Sequence, residues 1–106
     1  MNHLSLQVFD KVAQFLRSLP DKEQLKIVSS IQSVLEGDFE TVFIKTLRGP
    51  IKELIIRRTR ILFCVENKTL YVLHAFVKKT MRTPKRDLDY VERLFSRLLR
   101  EIGPNK

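Results

Sequence analysis

The chain has 106 residues, 43% of them hydrophobic, and predicts one globular domain over residues 1–106. Its apolar runs are too short to span a bilayer, and a single cysteine excludes an internal disulfide, so we expect a cytoplasmic protein without membrane association. The net charge of +8 is uneven: residues 1–40 hold four basic and six acidic side chains, so the remainder carries +10. This asymmetry indicates a polyanionic partner for the second part of the chain.

Apolar residues at helical spacing predict two helices at the start of the chain. The first covers residues 4–19 and ends before Pro20. Asp21, with Gln24 three residues later, resembles a capping box that begins a second helix. That helix ends at Gly37, and the short connection makes the two helices antiparallel. Both are expected to be scaffold.

Runs rich in β-branched and aromatic residues predict four strands, at residues 41–47, 51–57, 60–65 and 70–77. Their short connections make neighbouring strands antiparallel. Thr83 and Pro84 predict the N-cap and first residue of a last helix that ends at Gly103-Pro104. The predicted fold class is therefore α+β, with two N-terminal helices packed on a small, mainly antiparallel β-meander of about four strands, plus a C-terminal helix.

Cations gather where the predicted strands meet their turns. A two-residue turn at Arg58-Thr59 places Arg57 directly opposite Arg60 on one face of the sheet. Like charges so placed repel each other unless an anion lies between them, which predicts a phosphate site. The alternative is that both arginines extend into water at the turn.

The next strand ends in Lys78-Lys79, and alternation lets one of these lysines share the face of Arg60. A two-residue loop at residues 67–68 predicts that Lys79 does so. A three-residue loop predicts Lys78 instead, together with His74 and Phe76. The sequence leaves both registers open.

RNA cleavage without a metal needs a group that takes the 2′-hydroxyl proton, cations beside the phosphate, and a group that protonates the leaving oxygen. The candidate catalytic residues are Arg57, Arg60, His74, Lys78 and Lys79. The candidate RNA-binding residues are Lys45, Arg48, Arg58, Phe76, Arg82 and Lys85. His74 and Phe76 have an alternative interpretation as core or rim residues of the sheet. We expect no metal and no cofactor, because the sequence lacks Cys/His metal spacing and a glycine-rich phosphate loop.

The motif order resembles a known family over roughly residues 9–98. FIKTLRGPIKELII is followed by TRILF, LYVLHAFVKKT and TPKRDLDYVERL. This arrangement resembles the phage-derived, HigB-like branch of the RelE/ParE toxin superfamily. The resemblance implies a toxin of a type II toxin–antitoxin pair that cleaves mRNA at the ribosome and is neutralised by a helix-turn-helix antitoxin. The motif match assigns family roles to Arg60, Lys78 and Lys79.

Position 55 departs from the family pattern, which usually has an arginine directly after Glu-Leu. This chain has Ile55 there, so the function of that arginine is not transferred, and Arg57 is the nearest substitute. Two alternatives to an endoribonuclease therefore stay open. One is a ParE-like inhibitor of DNA gyrase, and the other is a non-catalytic nucleic-acid-binding remnant of the same fold.

Overall fold

A computed structural model of the chain describes residues 4–103. Within this part, five strands form one sheet, and three helices cover its two faces. In chain order the elements are β1 (Ser5–Val8), α1 (Asp10–Arg17), α2 (Asp21–Leu35), β2 (Phe43–Arg48), β3 (Ile51–Ile56), β4 (Thr59–Glu66), β5 (Thr69–Val77) and α3 (Lys85–Ile102). The predicted α+β class is confirmed, whereas the prediction of about four strands is wrong by one.

The additional strand is β1, at one edge of a sheet with the order β1-β5-β4-β3-β2. It pairs in parallel with β5, and Ser5 lies opposite Thr69. The predicted helix over residues 4–19 is therefore wrong at its start, since α1 begins at Asp10. The backbone N–H of Phe9 donates to the carbonyl oxygen of Val72 (3.1 Å), which continues the pairing up to the helix.

The helix boundaries follow from local hydrogen bonds. Asp21 is the first residue of α2 rather than its N-cap, so the predicted capping box is wrong. The amide Nε2 of Gln24 instead donates to the carbonyl oxygen of Leu19 (2.8 Å). The predicted end at Gly37 is confirmed: its φ is 76°, and the N–H of Asp38 donates to Ser33 O (2.9 Å), as in a Schellman motif.

The β3–β4 hairpin turns at Arg57-Arg58, one residue earlier than predicted. Ile56 pairs with Thr59, and Arg60 lies opposite Ile55. The predicted opposition of Arg57 and Arg60 is therefore wrong. Arg57 instead has a φ of 56° in the turn, so its side chain does not follow the alternation of the strand.

The β4–β5 hairpin combines a two-residue loop with a bulge. Asn67 and Lys68 both have positive φ (50° and 61°), as in a type I′ turn. The pairing then shifts by one residue, because Phe63 lies opposite Val72 whereas Leu62 lies opposite His74. The alternative with a two-residue loop is therefore correct for the turn itself. Beyond the bulge, however, Phe76 lies opposite Arg60, which is the pairing predicted for a three-residue loop.

Two apolar layers hold the sheet between its helices. The layer beneath α1 and α2 includes Val12, Ile27, Ile31, Val34, Leu54, Ile61 and Val72. The layer beneath α3 includes Ile51, Leu62, Cys64, Leu73, Val91 and Leu98. Each fully buried aliphatic side chain contributes about 1.5–3 kcal/mol relative to exposure. Residues of β3, β4 and β5 that belong to neither layer are the ones that can contribute to a surface site.

The last helix begins one residue later than predicted. Pro84 is its N-cap and Lys85 its first residue, because the Thr83 hydroxyl binds another partner. Its end at Gly103 is confirmed, with a φ of 76°, whereas Pro104 lies outside the described residues. In the described part of the chain, no helix combines the length and the apolar character needed to cross a bilayer.

Candidate functional site

Four cations surround a single open hollow of about 400 Å³ at the end of the sheet. We call it the cationic hollow, and it is lined by Arg58, Arg60, Lys78, Lys79, Thr80 and Met81. None of these lining residues is acidic. The β3–β4 turn supplies Arg58, the start of β4 supplies Arg60, and the segment just after β5 supplies the lysines. The backbone N–H of Lys78 donates to Arg58 O (2.7 Å) and holds the two segments together.

Both lysines line the hollow, contrary to the prediction that only one shares the face of Arg60. The reason is that β5 ends at Val77, so strand alternation no longer governs the two positions. Lys79 is exposed and Lys78 half-buried. Phe76, also half-buried, lies across the strand pair from Arg60 and next to this group of charges.

The guanidinium of Arg60 is held at the edge of the hollow. Its side chain is only 13% exposed. Nη1 donates to the carbonyl oxygens of Arg57 and of Thr59 (3.2 Å to the latter). Nε lies 3.9 Å from Oε2 of Glu53 and, among residues 4–103, is buried without a hydrogen-bond partner. The turn and the carboxylate together orient this cation.

Glu53 is a charged residue in the core of the sheet, with 1% exposure. Its Oε2 accepts a hydrogen bond of 2.9 Å from the hydroxyl of Thr83, in the segment that leads into α3. Burying a carboxylate is unfavourable unless it is paired and hydrogen-bonded. Glu53 is therefore best understood as a positioning residue for Arg60.

Arg57 lies in a different place. It lines a second cleft, which we call the rear cleft, of about 410 Å³ between α2 and the β3–β4 turn. Lys22, Lys26 and Arg58 line the same cleft, together with Glu23, Ile27, Ile56 and Thr59. Of the predicted catalytic arginines, the structure therefore brings Arg60 into the cationic hollow and leaves Arg57 behind the turn.

His74 lies in a third cleft, of about 330 Å³, between α1 and α3. Its Nε2 is 2.7 Å from Oδ1 of Asp87, and its ring stacks on Phe76 with centroids 5.5 Å apart. Tyr90 contacts the ring edge-on at 5.1 Å. His74 lines the cleft beside Asp87 and does not line the cationic hollow, so its predicted catalytic role stays a prediction.

Two of the predicted RNA-binding cations form salt bridges with acidic side chains. Arg48 pairs with Glu92 (2.7 Å), and Lys85 pairs with Asp89 (2.9 Å). The hydrogen bond from Lys85 lowers the pKa of Asp89. Lys45 lies on the edge strand opposite the buried Glu53, and Arg82 is exposed next to the hollow's Met81. Only Arg58 of the predicted RNA-binding cations lines the cationic hollow.

Between residues 4 and 103, no group of three or more His, Cys, Asp or Glu side chains is placed to hold an ion. The sequence model of one family, Phage derived protein Gp49-like (DUF891), matches residues 14–96. The chain belongs to this Gp49-like family. The comparison with curated proteins found no match.

The Gp49-like family is associated with the toxins of toxin–antitoxin systems, which agrees with the resemblance noted from the motifs. The matched region contains the whole cationic hollow and the rear cleft.

Sequence reasoning missed the role of Glu53 beside Arg60 and the partners of Thr83 and Asp87. One signal for Glu53 was available, since a lone carboxylate in the apolar run IKELII is a candidate for a buried, paired charge. Thr83 binds a residue 30 positions away in the sequence, and Asp87 binds one 13 positions away. No local sequence pattern predicts either contact. Lys22 and Lys26 lie on the second predicted helix, which the sequence indicates only as scaffold.

Proposed function

We propose that this Gp49-like protein is the toxin of a type II toxin–antitoxin pair and cleaves mRNA without a metal ion. The observation that carries the proposal is the cationic hollow: four cations around one opening, with no acidic residue in its lining. A phosphodiester is the anion that such a site fits best, because guanidinium groups bind two phosphate oxygens at once.

The reaction proposed is an internal transfer at phosphorus. The 2′-oxygen attacks the adjacent phosphorus, the bond from phosphorus to the 5′-oxygen breaks, and a 2′,3′-cyclic phosphate and a 5′-hydroxyl result. Arg60 and Arg58 stabilise the added negative charge on the phosphate oxygens. Lys78 and Lys79 supply the proton acceptor for the 2′-hydroxyl and the proton donor for the 5′-oxygen. Phe76, across from Arg60, offers a face on which a neighbouring base stacks.

The partners proposed with this activity are mRNA, presented by the ribosome, and a helix-turn-helix antitoxin. The family's association with toxin–antitoxin systems supports an antitoxin partner. The positive charge of the second part of the chain supports an RNA partner. Both proposals concern the same surface, since a neutralising protein must keep RNA from the hollow.

The test has two arms: cleavage of a free labelled RNA in EDTA, and cleavage of the same RNA on translating ribosomes in a buffer that contains Mg²⁺. We expect cuts that leave 2′,3′-cyclic phosphate ends and that disappear when the 2′-hydroxyl at the cut is replaced by hydrogen. Arg60→Ala and the double change of Lys78 and Lys79 to Ala should each reduce cleavage by about 100-fold or more. Lys68→Ala, at the opposite end of β4, is the matched control and should cleave as the parent does.

Cleavage that persists in both hollow variants would overturn this assignment of the site. Intact RNA together with accumulation of cleaved DNA in cells would instead support the gyrase-inhibiting alternative. Salt-sensitive RNA binding with no cleavage, with or without ribosomes, would identify the protein as a non-catalytic relative.

A further inference from the structure

We propose that the bound RNA strand passes over the β3–β4 turn and that the rear cleft holds a second phosphate of the same strand. This inference rests on the proposed function and extends it. It gives the RNA a path on the protein and assigns a binding role to Lys22 and Lys26 on α2.

The first observation is that the two cavities share a wall. Arg58 lines both the cationic hollow and the rear cleft, and Arg57 next to it lines only the latter. The positive surface is therefore continuous across the tip of the hairpin. A single strand that leaves the hollow over Arg58 enters the rear cleft without crossing a neutral region.

The second observation is the composition of the rear cleft. Four cations line it against one carboxylate, that of Glu23. In the described part of the chain, none of the four is in a salt bridge, and Lys22, Lys26, Arg57 and Arg58 are all exposed. Elsewhere on the surface Arg48 and Lys85 are neutralised by acidic neighbours. Unpaired cations around a concave surface attract a phosphate group.

The third observation is the floor of the cleft. Ile27, Ile56 and Thr59 form it and are nearly buried, with exposures of 1%, 8% and 9%. Such a floor accommodates the apolar faces of a ribose or base, while the cations on the rim contact the phosphate. Groove cations that follow the backbone, without reading the bases, are typical of single-strand binding.

The backbone of the turn adds a further argument. Arg57 has a φ of 56°, a conformation that costs an ordinary residue about 1–2 kcal/mol and that glycine adopts freely. The chain nevertheless has a cation there, at the entrance to the rear cleft. Strain of this kind is often found where a side chain serves a ligand.

The experiment measures affinity as a function of salt for a trinucleotide and for an oligonucleotide of about ten nucleotides, both as 2′-O-methyl RNA, which has no free 2′-hydroxyl and is not cleaved. The test variant changes Lys22 and Lys26 to Gln, which keeps the helix propensity of α2. The control variant changes Arg97 and Arg100 to Gln, which removes the same charge from exposed positions of α3 on the other side of the sheet.

We expect the test variant to weaken binding of the long RNA and to reduce the magnitude of the slope of log K against log salt by about 0.7, for the loss of the one phosphate contact in the rear cleft. Trinucleotide binding should stay unchanged, because that ligand fills only the cationic hollow. Glu23→Gln should act in the opposite direction and tighten the long RNA alone. The control should leave the slope for both ligands as it is in the parent.

Equal slopes for the parent and the test variant on the long RNA would overturn the inference while leaving the proposed function intact. The inference would also be overturned if the control variant showed the same reduction in slope as the test variant. The reduction would then reflect the net charge of the protein and not a contact in the rear cleft. If only a polyglutamate peptide binds more weakly to the test variant, the rear cleft serves an acidic protein segment and the RNA path is wrong. Failure of the proposed function shows separately, as trinucleotide binding that does not depend on Lys78 and Lys79.

Discussion

The hydroxyl of Thr83 donates a 2.9 Å hydrogen bond to Oε2 of Glu53, and this bond joins the segment before α3 to the middle of β3. The same oxygen lies 3.9 Å from Nε of Arg60. The buried carboxylate therefore connects the last helix with the cation at the edge of the hollow. Two segments that are distant in sequence are positioned by one side chain.

Replacement of Thr83 by Val should lower the free energy of unfolding by about 1–3 kcal/mol. The change keeps the shape of the side chain but leaves a charged, buried acceptor with one hydrogen bond fewer. Urea unfolding followed by circular dichroism measures the effect. Thr80→Val is the control, because the Thr80 hydroxyl binds the exposed carbonyl of Arg82 (2.8 Å), and its cost should stay within about 0.5 kcal/mol. Equal losses in the two variants would contradict a special role for Glu53.

Replacement of His74 by Gln should reduce RNA cleavage by less than about 10-fold, because His74 lines a cleft other than the cationic hollow. A general acid or base at this position would contribute about 100-fold to 10,000-fold. Single-turnover cleavage rates distinguish the two cases. Asp87→Ala is the companion variant and should cost about 1 kcal/mol of stability through loss of the 2.7 Å contact, again with little effect on the rate. A loss of 100-fold or more in His74→Gln would make His74 a proton carrier after all.

Stability should fall at alkaline pH because of Cys64. Burial, and to a smaller extent the charge of Glu66, raises the pKa of this thiol from 9.0 to about 12. Between these values the unfolded chain has lost a proton that the folded protein still holds, so the free energy of unfolding decreases as the pH rises. The decrease is at most about 1.4 kcal/mol per pH unit and becomes negligible below about pH 8, where the thiol is protonated in both states.

The comparison with Cys64→Ala isolates this contribution, since the two proteins share every other residue. The stability difference between parent and variant should shrink by about 1 kcal/mol between about pH 8 and about pH 10. A constant difference would mean that the thiol ionises in the folded state as it does in the unfolded chain.

Replacement of Lys68 by Gly should raise the free energy of unfolding by about 1 kcal/mol. Lys68 has a φ of 61° at the second central position of a type I′ turn, where Asn-Gly is the preferred pair. Thermal and urea unfolding both report the change. Lys45→Gly, in the edge strand β2, is the matched control, and it should destabilise the protein by about 0.5–1 kcal/mol. Destabilisation in both variants would show that the backbone of this turn is not strained.

The elements whose apolar patterns are local were predicted well from the sequence. The end of α2 at Gly37 and the central strands β3 and β4 follow from periodicity and turn residues. Two boundaries were placed wrongly because a side chain or strand had a distant partner. Ser5 pairs with Thr69, Thr83 binds Glu53, and neither partner is visible in the neighbouring sequence.

The candidate site was predicted in composition but not in arrangement. Arg60, Lys78 and Lys79 were named, and the structure brings these three together with Arg58. The bulge at Leu73 and the turn at Arg57-Arg58 changed the register on both sides of β4. A shift of one residue moves a side chain to a different neighbour, so the sequence had assigned Arg57 to the wrong surface.

The sequence by itself determined the α+β class, the order of most elements and the concentration of positive charge after residue 40, because these properties depend on composition and on short-range spacing. Only the tertiary structure decided that Arg58, Arg60, Lys78 and Lys79 share one hollow, while Arg57 joins Lys22 and Lys26 behind the turn. Such groupings depend on strand register and on where each strand ends, and both are set by contacts between residues far apart in the chain.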